Sequence, residues 1–346
     1  MADGRHRAGT RLDYCYHARM TAPAQSPLSP SFSSPRVRIL AVDTEDAGQR
    51  IDNFLLRHLK GVPRSLIYRI LRRGEVRVNK GRIKPEYRVR AGDQVRIPPV
   101  RTGQPAPGPG SGGAGGRLED RIIYEDDRLL VVDKPAGMAV HGGSGLSFGV
   151  IEALRAARPE ARFLELVHRL DRETSGCLLI AKRRSELRML HALLRAGAMD
   201  KRYLALVRGR WTQGEQLIEA PLRKNQLRSG ERVVTVDAVG KAADSRFRPL
   251  ETYPEASLME VELGTGRTHQ IRVHGAHSGH PLAGDEKYGD VDFNRYMRGL
   301  GLRRLFLHAH SLGFSDPESG REIHVSTPLP SDLRAVLDRL AEAGAV

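Results

Sequence analysis

Fourteen consecutive residues, Gly103–Gly116 (GQPAPGPGSGGAGG), carry no charge and no large apolar side chain. Such a stretch has nothing to bury that would offset the entropy of ordering it, so it reads as a flexible linker. The chain must therefore pack as at least two separate bodies, one on each side of the break. Its 346 residues leave room for about two domains. Residues 1–36, rich in Arg, Ser, Pro and Ala and without any period, read as a disordered basic tail. Translation can start at Met1 or at Met20 inside that tail. The expected division is a small module at 37–98, a Gly/Pro-rich linker at 99–118, and a larger domain at 119–346.

Charge narrows the partners. The chain carries 56 Lys+Arg against 41 Asp+Glu, a net +15, which points to a polyanion. From Gln49 to Pro98 there are fourteen Lys/Arg and only four Asp/Glu, so the excess is concentrated in the small module. No apolar run approaches the length of a membrane span, and the N-terminus has no signal-peptide core, so a cytoplasmic protein is expected. Two cysteines, Cys15 and Cys177, are too few for a disulfide framework or a thiolate zinc site.

In the small module, Ser65 is placed to cap a helix Leu66–Arg73, with Gly74 ending it. Leu66, Ile67, Ile70 and Leu71 form the apolar stripe, and Arg69, Arg72 and Arg73 occupy the other side. Glu75–Val78 alternates as a strand, Asn79-Lys80-Gly81 can turn, and Gly92-Asp93 precedes a strand Gln94–Ile97. Arg77, Lys80, Arg82 and Lys84 follow with hardly an acid between them. Solvated faces normally mix signs. Arg69, Arg72, Arg73, Arg77 and Lys80 are thus expected to contact phosphates, which positions a nucleic acid without reading its sequence.

In the larger domain, Ile122–Tyr124 and Leu129–Val132 flank a hairpin signal at Glu125-Asp126-Asp127. Cys177–Ala181, Tyr203–Val207, Ser257–Leu263 and Leu305–His308 also read as strands. Helices are expected at Ser185–Ala196 (ending at Gly197), from Thr268 into the His274 region, and at Ser331–Ala343. Strands outnumber helices without regular alternation, which favours an α+β mixed sheet.

The densest chemistry is Val167-His168-Arg169-Leu170-Asp171-Arg172-Glu173-Thr174-Ser175-Gly176. A lone acid among arginines is also what a structural salt bridge looks like. Two further polar clusters shift the weighting: Gly264-Thr265-Gly266-Arg267-Thr268-His269-Gln270-Ile271-Arg272 and Gly284-Asp285-Glu286-Lys287-Tyr288-Gly289. Guanidiniums around a carboxylate favour its ionised form, which suits a nucleophile better than a general acid. The glycines at 142–145 and 264–266 read as turns rather than phosphate cradles. His269, His274, His280, His308 and His310 match no standard ligand spacing, so no metal site is expected.

HRLD with TSG at 168–176, KRYLA at 201–205, and GRTHQIR at 266–272 together resemble the motifs of RluA-type pseudouridine synthases. The segment SLIYRILRRGEVRVNKGRIKP resembles an S4 RNA-binding domain of the αL type. PVRTG after that module and KPAGMAVHGGSGLSFGVIEALR after the linker resemble a bacterial subgroup acting on the large ribosomal subunit. The resemblance spans residue 38 to about 342. It implies an α+β enzyme, S4 domain plus mixed and largely antiparallel synthase domain, that isomerises uridines of 23S rRNA or its precursor. It makes Asp171 the nucleophile, attacking the anomeric carbon or deprotonating the sugar towards a glycal. Arg169 matches the arginine that replaces the flipped-out base. Tyr203 matches the tyrosine that packs on the target ring and is also placed to take the C5 proton late. Arg267 matches the basic partner of the catalytic carboxylate, with Arg272 close enough to compete. Arg172 and His269 join the RNA-contacting set. The resemblance implies no cofactor, metal or membrane, and a monomer.

Two other readings compete. A non-catalytic ribosome-assembly factor built on the same scaffold would be expected to lose the aspartate or the tyrosine, and both are present. S4-bearing synthases of the small subunit use a different aspartate motif.

Overall fold

The computed structural model describes residues 36–59, 62–100, 118–142, 148–226 and 232–344. The basic tail up to residue 35 (with Met1, Met20 and Cys15), linker residues 101–117 and the glycines at 143–145 lie outside the described residues.

The basic module is a four-stranded antiparallel sheet with two helices on it. Its elements are β1 (Arg38–Ala41), α1 (Ile51–His58), α2 (Arg64–Arg72), β2 (Arg77–Val78), β3 (Gly81–Arg82) and β4 (Gln94–Ile97), with strand order β1-β4-β2-β3. Ile51, Phe54, Leu55, Ile67, Leu71 and Val95 meet in its core. Helix α1 had no counterpart among the elements expected from sequence. Ser65 does not cap α2: the helix starts two residues earlier than expected, behind Pro63, whose extended backbone (φ −58°, ψ 142°) places its carbonyl to accept from Leu66 and Ile67 N–H. At the other end Gly74, at φ +69°, closes a Schellman motif, with Gly74 N–H on Leu71 O and Glu75 N–H on Ile70 O. Glu75 is spent on that closure, so β2 is shorter than the expected Glu75–Val78. Asn79 and Lys80, both at positive φ, turn the chain into β3. Arg69, Arg72, Arg73, Arg77 and Lys80 are all exposed.

The larger body is one ten-stranded sheet and a two-stranded hairpin, flanked by helices. Its strands are β5 (Ile122–Glu125), β6 (Leu129–Lys134), β7 (Glu165–Leu166), β8 (Ser175–Ala181), β9 (Asp200–Arg208), β10 (Gln216–Glu219), β11 (Leu222–Gln226), β12 (Arg232–Val236), β13 (Asp244–Thr252), β14 (Ala256–Leu263), β15 (Leu307–Ser315) and β16 (Glu322–Ser326). The main order is β10-β13-β14-β9-β15-β8-β6-β5, with β16 beside β15 and β7 beside β8. Every pair is antiparallel except β15 with β8. Its helices are α3 (Val150–Ala157), α4 (Arg184–Ala196), α5 (Gln270–His277), α6 (Val291–Gly299) and α7 (Ser331–Gly344).

Central strands β6 and β8 are apolar at nearly every ladder position because both sheet faces are covered. Leu130, Val132, Leu178 and Ile180 pack towards α3, whereas Leu129, Val131 and Leu179 pack towards α4. The anticipated hairpin, the strands at 177, 203 and 257, and the helices at 185, 268 and 331 all appear, with ends shifted by a few residues. The expected Leu305–His308 strand is instead Leu307–Ser315. Phe306 gives its N–H to Ala283 O rather than to the ladder, and β15 runs on to pair with β9, β8 and β16. Helices α3 and α6 were not anticipated; α6 is capped by the Asp290 carboxylate, which accepts from Phe293 N–H.

The two bodies touch. Arg184 of α4 reaches Asp46 at 3.3 Å, Arg57 donates to Arg162 O at 3.1 Å, and both guanidiniums lie over the Phe163 ring.

Candidate active site

The sheet brings two distant segments to one place. Strand β15 lies between β8 and β9, with Ala309 opposite both Gly176 and Tyr203. The HRLD loop, which ends where β8 begins, is therefore one strand away from the KRY segment. This closeness requires Gly176: at φ +109° its missing Cβ would stand 2.2 Å from Ala309 O.

The loop itself is tied from several sides. Val167 N–H bonds to Leu179 O, and Leu179 N–H is accepted by His168 Nε2 at 3.1 Å. Burial and the neighbouring Lys201 ammonium hold the His168 imidazole down to about 4, so it stays neutral and serves as an acceptor. Leu170 is buried, which leaves Asp171 at the turn, where Thr174 N–H bonds back to Asp171 O. From below, fully buried Lys134 donates to Pro135 O, Met138 O and Arg172 O at 2.8–3.0 Å. Burial pulls its ammonium down to about 7, against the pull of Glu173 and Asp171. Sequence reasoning passed over Lys134; its one signal is a lysine ending an apolar strand just before a proline.

The GRTHQIR segment supplies the opposite wall. Gln270, the first residue of α5, is buried and pins the loop: its Oε1 accepts from Thr265 Oγ1 and Arg267 N–H, and its Nε2 donates to Asp244 O and Ser245 Oγ. Arg272, inside the first turn of the helix, gives Nη1 to Asp171 Oδ2 at 3.4 Å. Arg267 does not pair with Asp171. Its Nε donates to Ala242 O at 3.0 Å, because it lies before the helix on the loop's outer side, although it still lines the recess.

His269 takes a left-handed backbone (φ 55°), which swings its ring towards Asp171, with Nε2 at 3.8 Å from Oδ2. Tyr288 Oη accepts Val234 N–H at 3.0 Å, leaving its own proton for His269 Nδ1 at 2.8 Å. The proton of the imidazole is then on Nε2, facing the carboxylate. Burial lowers the His269 pKa and keeps the ring neutral, despite the Asp171 charge that favours its cation.

Asp171, Tyr203, Leu263, Arg267, Gln270 and Arg272 enclose a recess of about 70 Å³. Tyr203 is only 8% exposed, and burial, aided by the Asp171 charge, holds its phenol above the usual range. Arg169 is exposed at the rim, and its guanidinium has no ion pair or hydrogen bond among the described residues. Arg172 turns away: its Nε donates to Gly137 O at 2.9 Å, and its guanidinium faces Glu173. Asp285, which stood out in the sequence only as part of a polar cluster, clasps Arg272 with both carboxylate oxygens. Among the described residues no cluster of potential metal ligands occurs, and His274 and His308 are engaged with Ser245 and Ser175. The arginines and lysine of the basic module stand on the other body.

An acid flanked by an arginine and a neutral imidazole can serve as a nucleophile, and a buried tyrosine ring beside it, in a recess open to solvent, can pack on a flat polar ring. Comparison with known proteins identifies the family. Residues 128–277 match the family described as RNA pseudouridylate synthase, and residues 49–95 match the S4 domain. The chain is 56% identical over 309 residues to ribosomal large subunit pseudouridine synthase C of Haemophilus influenzae, covering 89% of this chain and 96% of that one. Identity to the protein of the same name from Escherichia coli strain K12 is also 56%, over 90% of this chain and 98% of that one. Among solved structures, human RNA pseudouridylate synthase domain containing 4 shares the fold, with a TM-score of 0.56 over 67% of this chain and 97% of that chain at 24% identity. Human RNA pseudouridylate synthase domain containing 1 gives a TM-score of 0.52 at 26% identity, over 65% of this chain and 94% of that chain. The chain belongs to the RNA pseudouridylate synthase family and carries an S4 domain at its N-terminal side.

Proposed function

We propose that this protein isomerises specific uridines of 23S rRNA, free or in a large-subunit precursor, to pseudouridine. The observation that carries the proposal is the Asp171 carboxylate held at the recess by Arg272 and His269, with the Tyr203 ring beside it. The N1–C1′ bond breaks, the base turns, C5 joins C1′, the C5 proton leaves, and N1 takes up a proton, so product and substrate are isomers. The change is redox-neutral and consumes no water, so its balance needs no cofactor.

In this reading Asp171 attacks C1′ or removes a sugar proton on a glycal route. Extruding the uridine costs a few kcal/mol of unstacking, and the free guanidinium of Arg169 offsets part of this by filling the vacated position. The phenol of Tyr203, held protonated by its burial, is a poor resting base, so we assign it packing against the target ring. Arg272 takes the carboxylate-pairing role; Arg267, Arg172 and the Arg69, Arg72, Arg73, Arg77 and Lys80 set are assigned to RNA contact. We take 37–98 as the S4 domain, 99–118 as linker and 119–346 as catalytic domain, in a cytoplasmic monomer. No helix among the described residues is long and apolar enough to cross a membrane.

Replacing Asp171 by Asn tests the proposal. Tritium release from 23S transcript labelled at uridine C5 should be abolished while RNA affinity stays close to that of the parent protein. Appreciable release by the variant refutes the assignment.

A further inference from the structure

Beside the recess runs a groove of about 770 Å³ whose walls include α4, the start of β9, β11 and the loop at 264–268. Recess and groove are continuous, sharing Arg169, Asp171, Tyr203 and Arg267. Lys201 lies in this groove two positions before Tyr203, so the two side chains leave β9 on the same face.

The Lys201 side chain is unusual. The residue is 7% exposed, yet its side chain has no hydrogen bond or ion pair among the described residues; Asp244 acts on it only through space. Most of the side chain is covered while its ammonium meets the groove, and the burial that disfavours this charge is offset when an anion enters beside it. The rest of the groove fits an anion too. Arg195 from α4, Lys224 from β11, Arg169 and Arg267 line it, and its only acid among the described residues, Asp171, is already engaged by Arg272. His168, held neutral, adds no competing charge.

We propose that Lys201, with Arg195 and Lys224, forms a subsite for the phosphodiester next to the flipped uridine. The subsite rests on the uridine-isomerising reading and deepens it. Lys201 holds the backbone where it bends into the recess, and Arg195 and Lys224 guide the strand along the groove. The pairing is electrostatic and independent of sequence, so it fixes how far the target nucleotide enters rather than which uridine is chosen.

The test compares the full-length protein with Lys201→Met, Lys201→Arg and the double variant Arg195→Gln/Lys224→Gln on 23S rRNA transcript. Binding is measured across a salt series and turnover by tritium release. Lys201→Met should raise Kd and KM about tenfold and lower the salt slope by about 0.7, the change expected when one single-strand phosphate is no longer neutralised. Lys201→Arg should restore most of both. The double variant changes only exposed side chains and carries the test if Lys201→Met does not fold; its slope should fall by about 1.4 for two phosphates. Salt slopes equal to the parent's in folded Lys201→Met, or in the double variant if the first does not fold, overturn the subsite. If the parent protein binds the transcript but releases no tritium, the isomerase reading falls while the slopes still report on the subsite.

Discussion

Arg272 gives two guanidinium nitrogens to Asp285, at 2.7 and 2.8 Å, and only the third, at 3.4 Å, to Asp171. Asp285 is almost completely buried and also accepts the N–H groups of Lys287 and Tyr288, while the Tyr288 ring lies 5.0 Å from the Arg272 guanidinium. The direction in which Arg272 faces Asp171 is thus set by a carboxylate away from the recess. Replacing Asp285 by Asn should leave RNA affinity nearly intact and reduce kcat about 10²-fold, the effect of displacing a catalytic partner by about 1 Å. Loss of one member of this buried pair should also destabilise the fold by about 3 kcal/mol. Single-turnover kinetics with thermal melting measure both. A stable variant with the parent's kcat would show that Arg272 needs no such support.

Arg72 and Arg73 stand exposed at the end of α2, where the helix's C-terminal turn is closed by Gly74. Changing both to Gln should weaken rRNA binding and reduce the salt slope by about 0.7–0.9 for each phosphate that either arginine neutralises. Filter binding between low and moderate salt gives the slope directly. An unaltered slope would remove these two residues from the RNA interface.

His308 is fully buried on β15, accepting from Ser175 Oγ at Nδ1 and donating from Nε2 to Thr327 O. Burial pushes its imidazole down to about 4 from an ordinary value of 6.5. As pH falls through 6.5 the unfolded chain gains a proton here that the folded chain refuses. Stability is therefore complete above pH 6.5, declines from 6.5 to 4, and levels off below; the full loss is on the order of 3 kcal/mol. Urea midpoints at pH 7 and pH 5 should differ less in His308→Asn than in the parent. His168, depressed for the same reason, leaves some slope in the variant. Equal pH sensitivity in both proteins would contradict this account.

Gly176→Ala and Gly137→Ala contrast two glycines at positive φ. Gly137 (φ +81°) has open space where a Cβ would go, whereas at Gly176 the Cβ would meet Ala309 O at 2.2 Å. The first change should cost about 1 kcal/mol of backbone strain and leave the site assembled. The second must push β8 from β15 and should lower Tm by well over about 10 °C, the shift expected for a loss above about 4 kcal/mol in a body of this size. Similar melting temperatures for the two variants would mean that the strands separate easily.

The chemistry-bearing segments were legible because each is contiguous: HRLD, KRY and GRTHQIR announce themselves as runs of functional residue types. What the sequence left open was orientation. The motif favours Arg267 over Arg272 as the partner of Asp171, yet the contact is made by Arg272, because α5 starts at Gln270 and turns Arg272 towards Asp171 while Arg267 bonds to Ala242 O. Asp285 had no readable role because its partner is reached only after the chain has passed through a helix and a turn. Lys134 at the end of an apolar strand and His308 within one gave no sign of their distant partners, because those lie on other segments of the chain. The αβ balance and the hairpin at 125–127 followed from local pattern, whereas Ser65 failed as a cap because the proline two residues earlier had already set the helix entry.

Strand β15 comes from the last eighth of the chain but sits at the middle of the sheet. A polypeptide still emerging from the ribosome can contain every residue of HRLD, KRY and GRTHQIR and pair β9 with β14, yet lack the strand that sets HRLD beside KRY. The complete site therefore waits until synthesis has passed about residue 315, when β15 can enter between β8 and β9.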